Sequence, residues 1–378
     1  MRGAGVARAA PAWSTSTSRE STSRESTSPE LTSHDAPVVG PAKIRTDGLA
    51  APARGGAEEC GEGGVTLTVG VDVGGTKVLG GVVTPKGEVL DTSRRPTPSE
   101  DARETEQAIA DVVRELAAKH DVEAVGIGAA GFIDATRSVV LHAPNLVWRE
   151  EPLRERVEAL VDLPVVVEND ANAAAWAEYR FGAGRGQTHL VLITVGTGIG
   201  GGVVLDGAVY RGAFGVAAEF GHVRAVPDGL LCGCGDRGCF EQYCSGKALV
   251  RVAGASARRD PGSARRLLEL AGGDVSALQG PHVTQAAMEG DPAAVAAFEV
   301  IGEWLGRGLA DLVSVWDPSC IVVGGGVAEA GDLLLGPAHI SYAAALSARG
   351  RKAAAEIRLA AMGNSAGLVG AADLARIR

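Results

Sequence analysis

Aromatic side chains are scarce in this chain: Phe, Trp and Tyr number 6, 5 and 4 among 378 residues. That argues against nonspecific binding of single-stranded nucleic acid, which relies on bases stacking on rings. Positive charge is also short, with 36 Lys and Arg against 46 Asp and Glu and a formal net charge of -10. Such a field repels phosphate backbones and anionic membrane surfaces. No apolar run approaches the roughly 18 residues needed to cross a bilayer, and the N-terminus lacks the apolar stretch of a secretory signal. The expected compartment is therefore the cytoplasm, with neither a nucleic acid nor a membrane as partner. Cysteines number only 6, and Cys232, Cys234, Cys239 and Cys244 crowd together while Cys60 and Cys320 stand apart. Disulfide frameworks spread their cysteines, so this clustering points to metal.

The chain is long enough for two domains of about 100 to 200 residues each. Residues 14 to 33 are almost entirely Ser, Thr, Arg and Glu, with the run at 16 to 20 repeated at 21 to 25 and varied at 26 to 30. Such a composition buries no apolar area to offset the entropy of ordering, so residues 1–64 read as a disordered extension. Between Met1 and Met288 there is no methionine, and we expect translation to begin near Val65, the extension being a misassigned start. The intact mass of natively expressed protein decides this, and a full-length mass refutes it.

From Val65 onward, Val-rich extended runs at 66–72, 78–84, 123–129, 164–168, 189–195 and 200–205 alternate with helical patterns near 101–119, 151–161 and 171–180. Helical patterns then cover 240–255, 261–271, 291–316, 331–347 and a last helix from Ser365, with strands at 320–323 and 355–360. The fold class is α/β. Only Gly74 to Lys77 separate the first two strands, which favours an antiparallel hairpin over a βαβ unit.

Five segments carry candidate chemistry. Asp72-Val73-Gly74-Gly75-Thr76-Lys77 joins a strand to a glycine turn, where backbone amides approach phosphate oxygens and a strand-end carboxylate holds Mg²⁺ through water; a plain Gly-Gly hairpin is the alternative. Gly196-Thr197-Gly198-Ile199-Gly200-Gly201-Gly202 repeats the arrangement between two later strands, like the second half of a phosphate clamp or a flexible loop. Glu168-Asn169-Asp170-Ala171-Asn172 ends a strand and starts a helix. There Asn169 or Asp170 serves as a helix cap, or Asp170 accepts a hydroxyl proton in phosphoryl transfer with Asn169 orienting the substrate. Ile321-Val322-Val323-Gly324-Gly325-Gly326 ends a strand in three glycines, either for close approach to a flat ring or ribose or as a simple turn. Gly126 to Gly131 matches G-x-G-x-x-G, yet an extended stretch follows it rather than a helix, so a dinucleotide site is not expected. Gly131 and Phe132 instead suit the lining of a ligand cleft.

The strongest signal is Glu219-Phe220-Gly221-His222 followed by Cys232-Gly233-Cys234 and Cys239-Phe240-Glu241. One imidazole and three thiolates, from His222, Cys232, Cys234 and Cys239, complete a tetrahedral Zn²⁺ set and leave no open position, so the site is expected to be structural. Cys244 and Cys320 read as core thiols and Cys60 as part of the extension. Glu219 and Glu241 flank the knot and suit acceptance of a polyol's hydroxyls, although surface glutamates fit the spacing equally.

Together these motifs resemble the ROK family of sugar kinases, its actinobacterial glucokinase branch most closely, from about Val65 to the C-terminus. The resemblance implies an actin-like, hexokinase-type (ribonuclease H-like) two-domain ATPase fold. Its small domain would be 65–174, completed by a C-terminal helix at 363–378, and its large domain 175–362. It implies Asp170 as general base on the 6-hydroxyl of glucose, with Gly131, Asn169, Glu219, His222 and Glu241 holding the ring. Asp72, Gly74, Gly75, Thr76, Lys77, Gly196, Thr197 and Gly198 would clamp the phosphates of ATP with Mg²⁺, and Gly324, Gly325 and Gly326 would border the adenosine. It further implies a homodimer or homotetramer, and a double role for His222, one ring nitrogen on zinc and the other toward sugar.

The same family contains kinases for N-acetylmannosamine, fructose and mannose, polyphosphate-using enzymes, and sugar-sensing repressors with a helix-turn-helix ahead of the sugar module. Residues 1–64 show no helical apolar periodicity from which such a DNA-binding unit would form. The acidic balance argues against a basic polyphosphate groove.

Overall fold

The computed structural model describes residues 66–351 and 354–377. The extension over 1–64, its Cys60 and the expected start near Val65 lie outside the described residues. Two five-stranded sheets organise the rest. In the first, β1 (Leu67–Val73), β2 (Lys77–Val83) and β3 (Val89–Pro96) form an antiparallel meander, and β4 (Val122–Ala129) and β8 (Val165–Asn169) extend it in parallel in the order β3-β2-β1-β4-β8. Between β4 and β8 the chain makes a small sheet of β5 (Phe132–Ile133), β6 (Val140–His142) and β7 (Arg149–Glu151).

The second sheet repeats the plan. An antiparallel hairpin of β9 (Leu190–Val195) and β10 (Ile199–Leu205) is edged by β11 (Ala208–Val209). On the other side β12 (Cys320–Gly324) and β13 (Glu356–Leu359) pair in parallel, giving the order β11-β10-β9-β12-β13. Each sheet therefore has a glycine-turned hairpin next to a parallel strand, and the hairpin expected at Gly74 to Lys77 is present.

Local chemistry accounts for the helices. In α1 (Ala102–Ala117) Asp101 caps the first turn, its carboxylate accepting from the Arg103 and Glu104 amides at 2.8 and 3.0 Å. Ile109, Val112, Val113 and Leu116 recur at helical spacing and bury against the first sheet together with α2 (Leu153–Val161). The second sheet is covered by α5 (Gly246–Arg259), α7 (Gly280–Met288), α8 (Pro292–Trp316) and α9 (Asp332–Ala348), whose Phe298, Ile301, Leu305 and Leu334 pack with Ile193 and Ile321.

Two short, small-residue helices matter most for function. α3 (Asp170–Arg180) and α10 (Ala366–Arg376) pack on each other, with Ala173, Trp176, Ala371 and Leu374 in one cluster with Leu192 and Val322 of the second sheet. α10 lies so close to the first sheet that a β-carbon on Gly70 or Gly126 would overlap the Leu368 or Ala371 carbonyl. Of the glycines in the G-x-G-x-x-G match, Gly126 thus serves close helix packing, whereas Gly131 lies against the His142 carbonyl at the end of β6. Buried Asp373 bridges the pair, accepting from Trp176 Nε1 at 2.8 Å and Arg180 Nε at 3.1 Å.

Elsewhere the structure departs from the sequence reading. The helix expected over 240–255 is broken: α4 (Glu241–Cys244) ends at Ser245, whose hydroxyl caps α5 through the Ala248 amide at 3.3 Å. The segment expected as helix over 261–271 opens with a 3₁₀ turn at Pro261–Ala264 before α6 (Arg265–Leu270). The extended stretch expected after Gly131 is β5, but β3, β6, β7, β11 and α7 were not anticipated, being short or alternating too weakly to stand out. Among the described residues no helix is long and apolar enough to cross a membrane.

Candidate active site

In the Glu168-Asn169-Asp170 segment the capping duty falls to one residue. Asn169 is the helix cap: its Oδ1 accepts the Asn172 amide at 3.0 Å, while its Nδ2 donates to the Gly131 carbonyl and to Asp170 Oδ1, each at 3.1 Å. Asp170, the first residue of α3, is left free of capping duty and faces a cavity of about 580 Å³. Burial, and then the neighbouring Asp72 carboxylate, push Asp170 up to about 6, against hydrogen bonds from its helix end and from Asn169 that pull it down. Asp72, at the end of β1, is itself raised by burial, with Lys77 opposing.

The same cavity gathers residues from both sheets. Gly131 and Asn169 line it from the first. From the second come the hairpin turn Gly196, Thr197 and Gly198, then Glu219, His222 and Glu241, with Gly324 and Gly325 at the end of β12. Gly198 approaches Glu241 so closely that a β-carbon there would stand 2.6 Å from Oε2. Burial, then Asp170, then Glu241, push Glu219 up to about 7. Asp170, Glu219 and Glu241 thus stand close together among the carboxylates of this pocket, a costly arrangement that suits hydroxyl-rich ligands and proton transfer.

Not every expected residue reaches this cavity. Gly74, Gly75, Thr76 and Lys77 form the β1–β2 turn outside its lining, braced by Thr97, whose hydroxyl donates to the Gly74 carbonyl at 2.7 Å. Gly326 lines a second cavity, of about 1080 Å³, between α5 and α7. The two cavities share Gly196, Thr197 and Glu329.

Several lining residues were missed from sequence. Asn145 lines the first cavity and packs its side chain beside Gly75, but it sits in an irregular 143–148 stretch with no motif to flag it. Lys247, Thr284 and Met288 line the second cavity; the unrecognised α7 hid the last two. Buried Glu178 also lines the first cavity and accepts from the Ala361 and Met362 amides at 3.1 and 2.8 Å, tying α3 to the approach of α10.

The Cys/His knot lies against the pocket wall. His222, Cys232, Cys234 and Cys239 present ligand atoms all within 4.8 Å of one another. His222 Nδ1 is 3.7 Å from Cys232 Sγ, and Cys234 Sγ is 3.7 Å from Cys239 Sγ. Burial and the two neighbouring thiols push Cys239 up to about 12, a cost that a bound cation would offset, whereas the Asp236 backbone amide holds Cys234 down. One imidazole and three sulfurs fit a divalent, thiophilic ion. Glu241, outside that set, touches it, Oε1 lying 3.2 Å from Cys232 Sγ. Cys244 and Cys320 are fully buried core residues.

The ROK family profile matches residues 68–378. This chain belongs to the ROK family. It is 52% identical over 310 residues to a glucokinase of Streptomyces coelicolor, covering 82% of this chain and 98% of that one. A glucokinase of Halalkalibacterium halodurans is 38% identical over 309 residues, covering 80% of this chain and 92% of its own. Among solved structures, a ROK family glucokinase from Streptomyces griseus in complex with glucose and AMPPNP superposes with a TM-score of 0.76 at 53% identity, covering 82% of this chain and all of that one. The paired sheets are those of the actin-like ATPase fold that the motifs implied.

Proposed function

We propose that this ROK protein phosphorylates glucose on its 6-hydroxyl with ATP, yielding glucose 6-phosphate. The observation that carries the proposal is Asp170: a carboxylate at a strand-to-helix junction, raised to about 6, inside a cavity that also holds a glycine hairpin together with Glu219 and Glu241. Such a group is basic enough to take a hydroxyl proton and stays ionised at neutral pH. The glucokinase relatives and the neighbour solved with glucose and AMPPNP support the choice of sugar and donor.

In this reading Gly131, Asn169, Glu219, His222 and Glu241 accept and donate to the ring hydroxyls, and Asp170 orients the 6-hydroxyl and removes its proton as the phosphoryl group arrives in line. Asn169 holds Asp170 in register through its own amide. The Gly196 to Gly198 turn, whose Gly196 and Thr197 border both cavities, receives the phosphate chain, while the cavity between α5 and α7, with Lys247 on its wall and Gly326 at its edge, takes the adenosine. Mg²⁺ accompanying ATP supplies charge neutralisation, and Asp72 is the residue suited to hold it. The β1–β2 turn at Gly74 to Lys77 would close over the phosphates when the two sheets approach, excluding water. His222, Cys232, Cys234 and Cys239 would hold a structural zinc ion, which would fix the His222 ring and leave its Nε2 for the sugar.

Rates with ATP and Mg²⁺ on glucose, mannose, fructose, N-acetylglucosamine and N-acetylmannosamine, and with polyphosphate in place of ATP, test the assignment. Highest kcat/KM on glucose with ATP is expected; preference for another sugar or donor overturns the assigned substrate, and no turnover with any pair favours a sugar-sensing role.

The pH dependence follows from the raised carboxylates. Asp170 works as the carboxylate, so the form competent in catalysis exists above about 6 and is lost as pH falls. Glu219, at about 7, accepts sugar hydroxyls best when ionised. The kcat/KM for glucose should therefore decline as pH drops from 7 through 6. Asp72→Asn removes a charge that raises Asp170, and should move the Asp170 limb to lower pH. A profile flat down to pH 5 contradicts both assignments.

A further inference from the structure

Glu168, one residue before the Asn169–Asp170 pair, is only 2% exposed and belongs to no ligand site described above. Its Oε2 receives Arg211, with Nε at 2.8 Å and Nη2 at 2.6 Å, and lies 3.4 Å from Arg137 Nε. Its Oε1 accepts the Asn169 amide at 3.2 Å and Asn172 Nδ2 at 3.1 Å. Both oxygens are committed to four groups from three separate segments of the chain.

Arg211 follows β11 of the second sheet, whereas Glu168 belongs to β8 of the first. From Arg211 the chain runs to Glu219 through a loop closed by the Ala217 amide on the Arg211 carbonyl at 3.1 Å. Gly215, at φ 89°, lies so tightly on the turn after β5 that a β-carbon would overlap the Ile133 carbonyl. Ala218, directly before Glu219, is held at φ 69°, a conformation costly to any residue with a β-carbon. The loop that presents Glu219 is thus anchored at its start on the strand end that presents Asp170, and strained at its finish. Buried ion pairs repay little net stability, since desolvation consumes most of the attraction. A buried Arg–Glu contact between two substrate-facing segments is better explained as a register device.

We propose that Arg211 is a positioning residue for sugar recognition: its pairing with Glu168 sets where Glu219 stands relative to Asp170. The proposal rests on reading Asp170 as base and Glu219 as sugar acceptor. Arg211 lines neither cavity. It acts through the loop, so its loss should separate glucose binding from ATP binding. A guanidinium delivers two nitrogens in a fixed plane, which a lysine ammonium does not reproduce.

The test compares Arg211→Met, Arg211→Lys and Glu219→Gln with the parent full-length protein, by calorimetric glucose Kd, by KM for glucose and ATP, and by Tm. We expect Arg211→Met to weaken glucose about 10- to 100-fold, the scale on which small misplacements act, with ATP KM within twofold. Arg211→Lys should fall between Met and parent. If Arg211→Met does not fold, Glu168→Gln/Arg211→Met, which removes the stranded carboxylate, is expected to give the same split. Parent-like glucose affinity in any folded Arg211 variant lacking the guanidinium overturns the proposal. So does an equal rise in both KM values, which marks general loosening. Should Glu219→Gln weaken glucose while the Arg211 variants do not, only this proposal fails; should Glu219→Gln bind glucose normally, the sugar-site reading fails with it.

Discussion

Asp170→Asn is expected to lower kcat by about 10² to 10⁴, the usual scale for losing a general base, while glucose and ATP binding change little. The substitution is nearly isosteric, and the bond from Asn169 Nδ2 at 3.1 Å goes to an oxygen that the asparagine side chain also carries. The Asn169 cap on α3 is made by a different atom and is untouched, so the helix start should persist. Stability supplies a second, opposite sign. The fold raises Asp170 from an ordinary 3.8 to about 6, so between those values the folded state binds protons that the unfolded chain releases, and this group's contribution falls as pH rises through that window. At neutral pH the buried charge is a burden, and asparagine removes it. Thermal unfolding at pH 7.5 should show Tm unchanged or higher in the variant despite its collapse in turnover. Near-normal kcat takes Asp170 out of the role of base; a large fall in Tm assigns the loss to misfolding instead.

Cys234→Ser is expected to lose bound zinc and glucose affinity together. The knot and the sugar cavity share a side chain, because the His222 ring faces Cys232 Sγ through Nδ1 at 3.7 Å and lines the cavity as well. Glu241, another cavity residue, stands 3.2 Å from the same sulfur. Removing one thiolate leaves the ion with an incomplete set, and freeing the imidazole costs affinity by about 10- to 100-fold, as loss of a ligand's orienting partner usually does. Metal analysis and glucose calorimetry on the same preparation check it. A zinc-free variant that binds glucose as tightly as the parent breaks the link between the knot and recognition.

Much of this was legible because the informative residues sit in short, contiguous motifs. The Cys232 to Cys239 cluster with His222 converges on one point as its spacing implied, since a tetrahedral ion demands few geometric solutions. The hairpin at Gly74 to Lys77 followed from a connection too short for any crossover. The role of Asn169 was harder. Two adjacent polar residues at a strand-to-helix junction both suit a cap, and only the fold separates Asn169, which caps α3, from Asp170, which does not. Asn145 and Arg211 were invisible because their importance arises from contacts remote in the chain, with Gly75 and Glu168. α7 escaped notice because its nine residues offer little periodicity, Val283, Ala286 and Ala287 being its buried positions. With it went the far wall of the second cavity.

The central claim is that the pocket around Asp170 transfers a phosphoryl group from ATP to the 6-hydroxyl of glucose. Product analysis under initial-rate conditions tests it most directly, with ADP and sugar phosphate quantified in the same samples and 6-deoxyglucose run beside glucose. The account predicts ADP and glucose 6-phosphate formed in equal amounts from glucose, and 6-deoxyglucose acting as an unphosphorylated competitor. ADP released without sugar phosphate, or phosphate attached at another position, would contradict it.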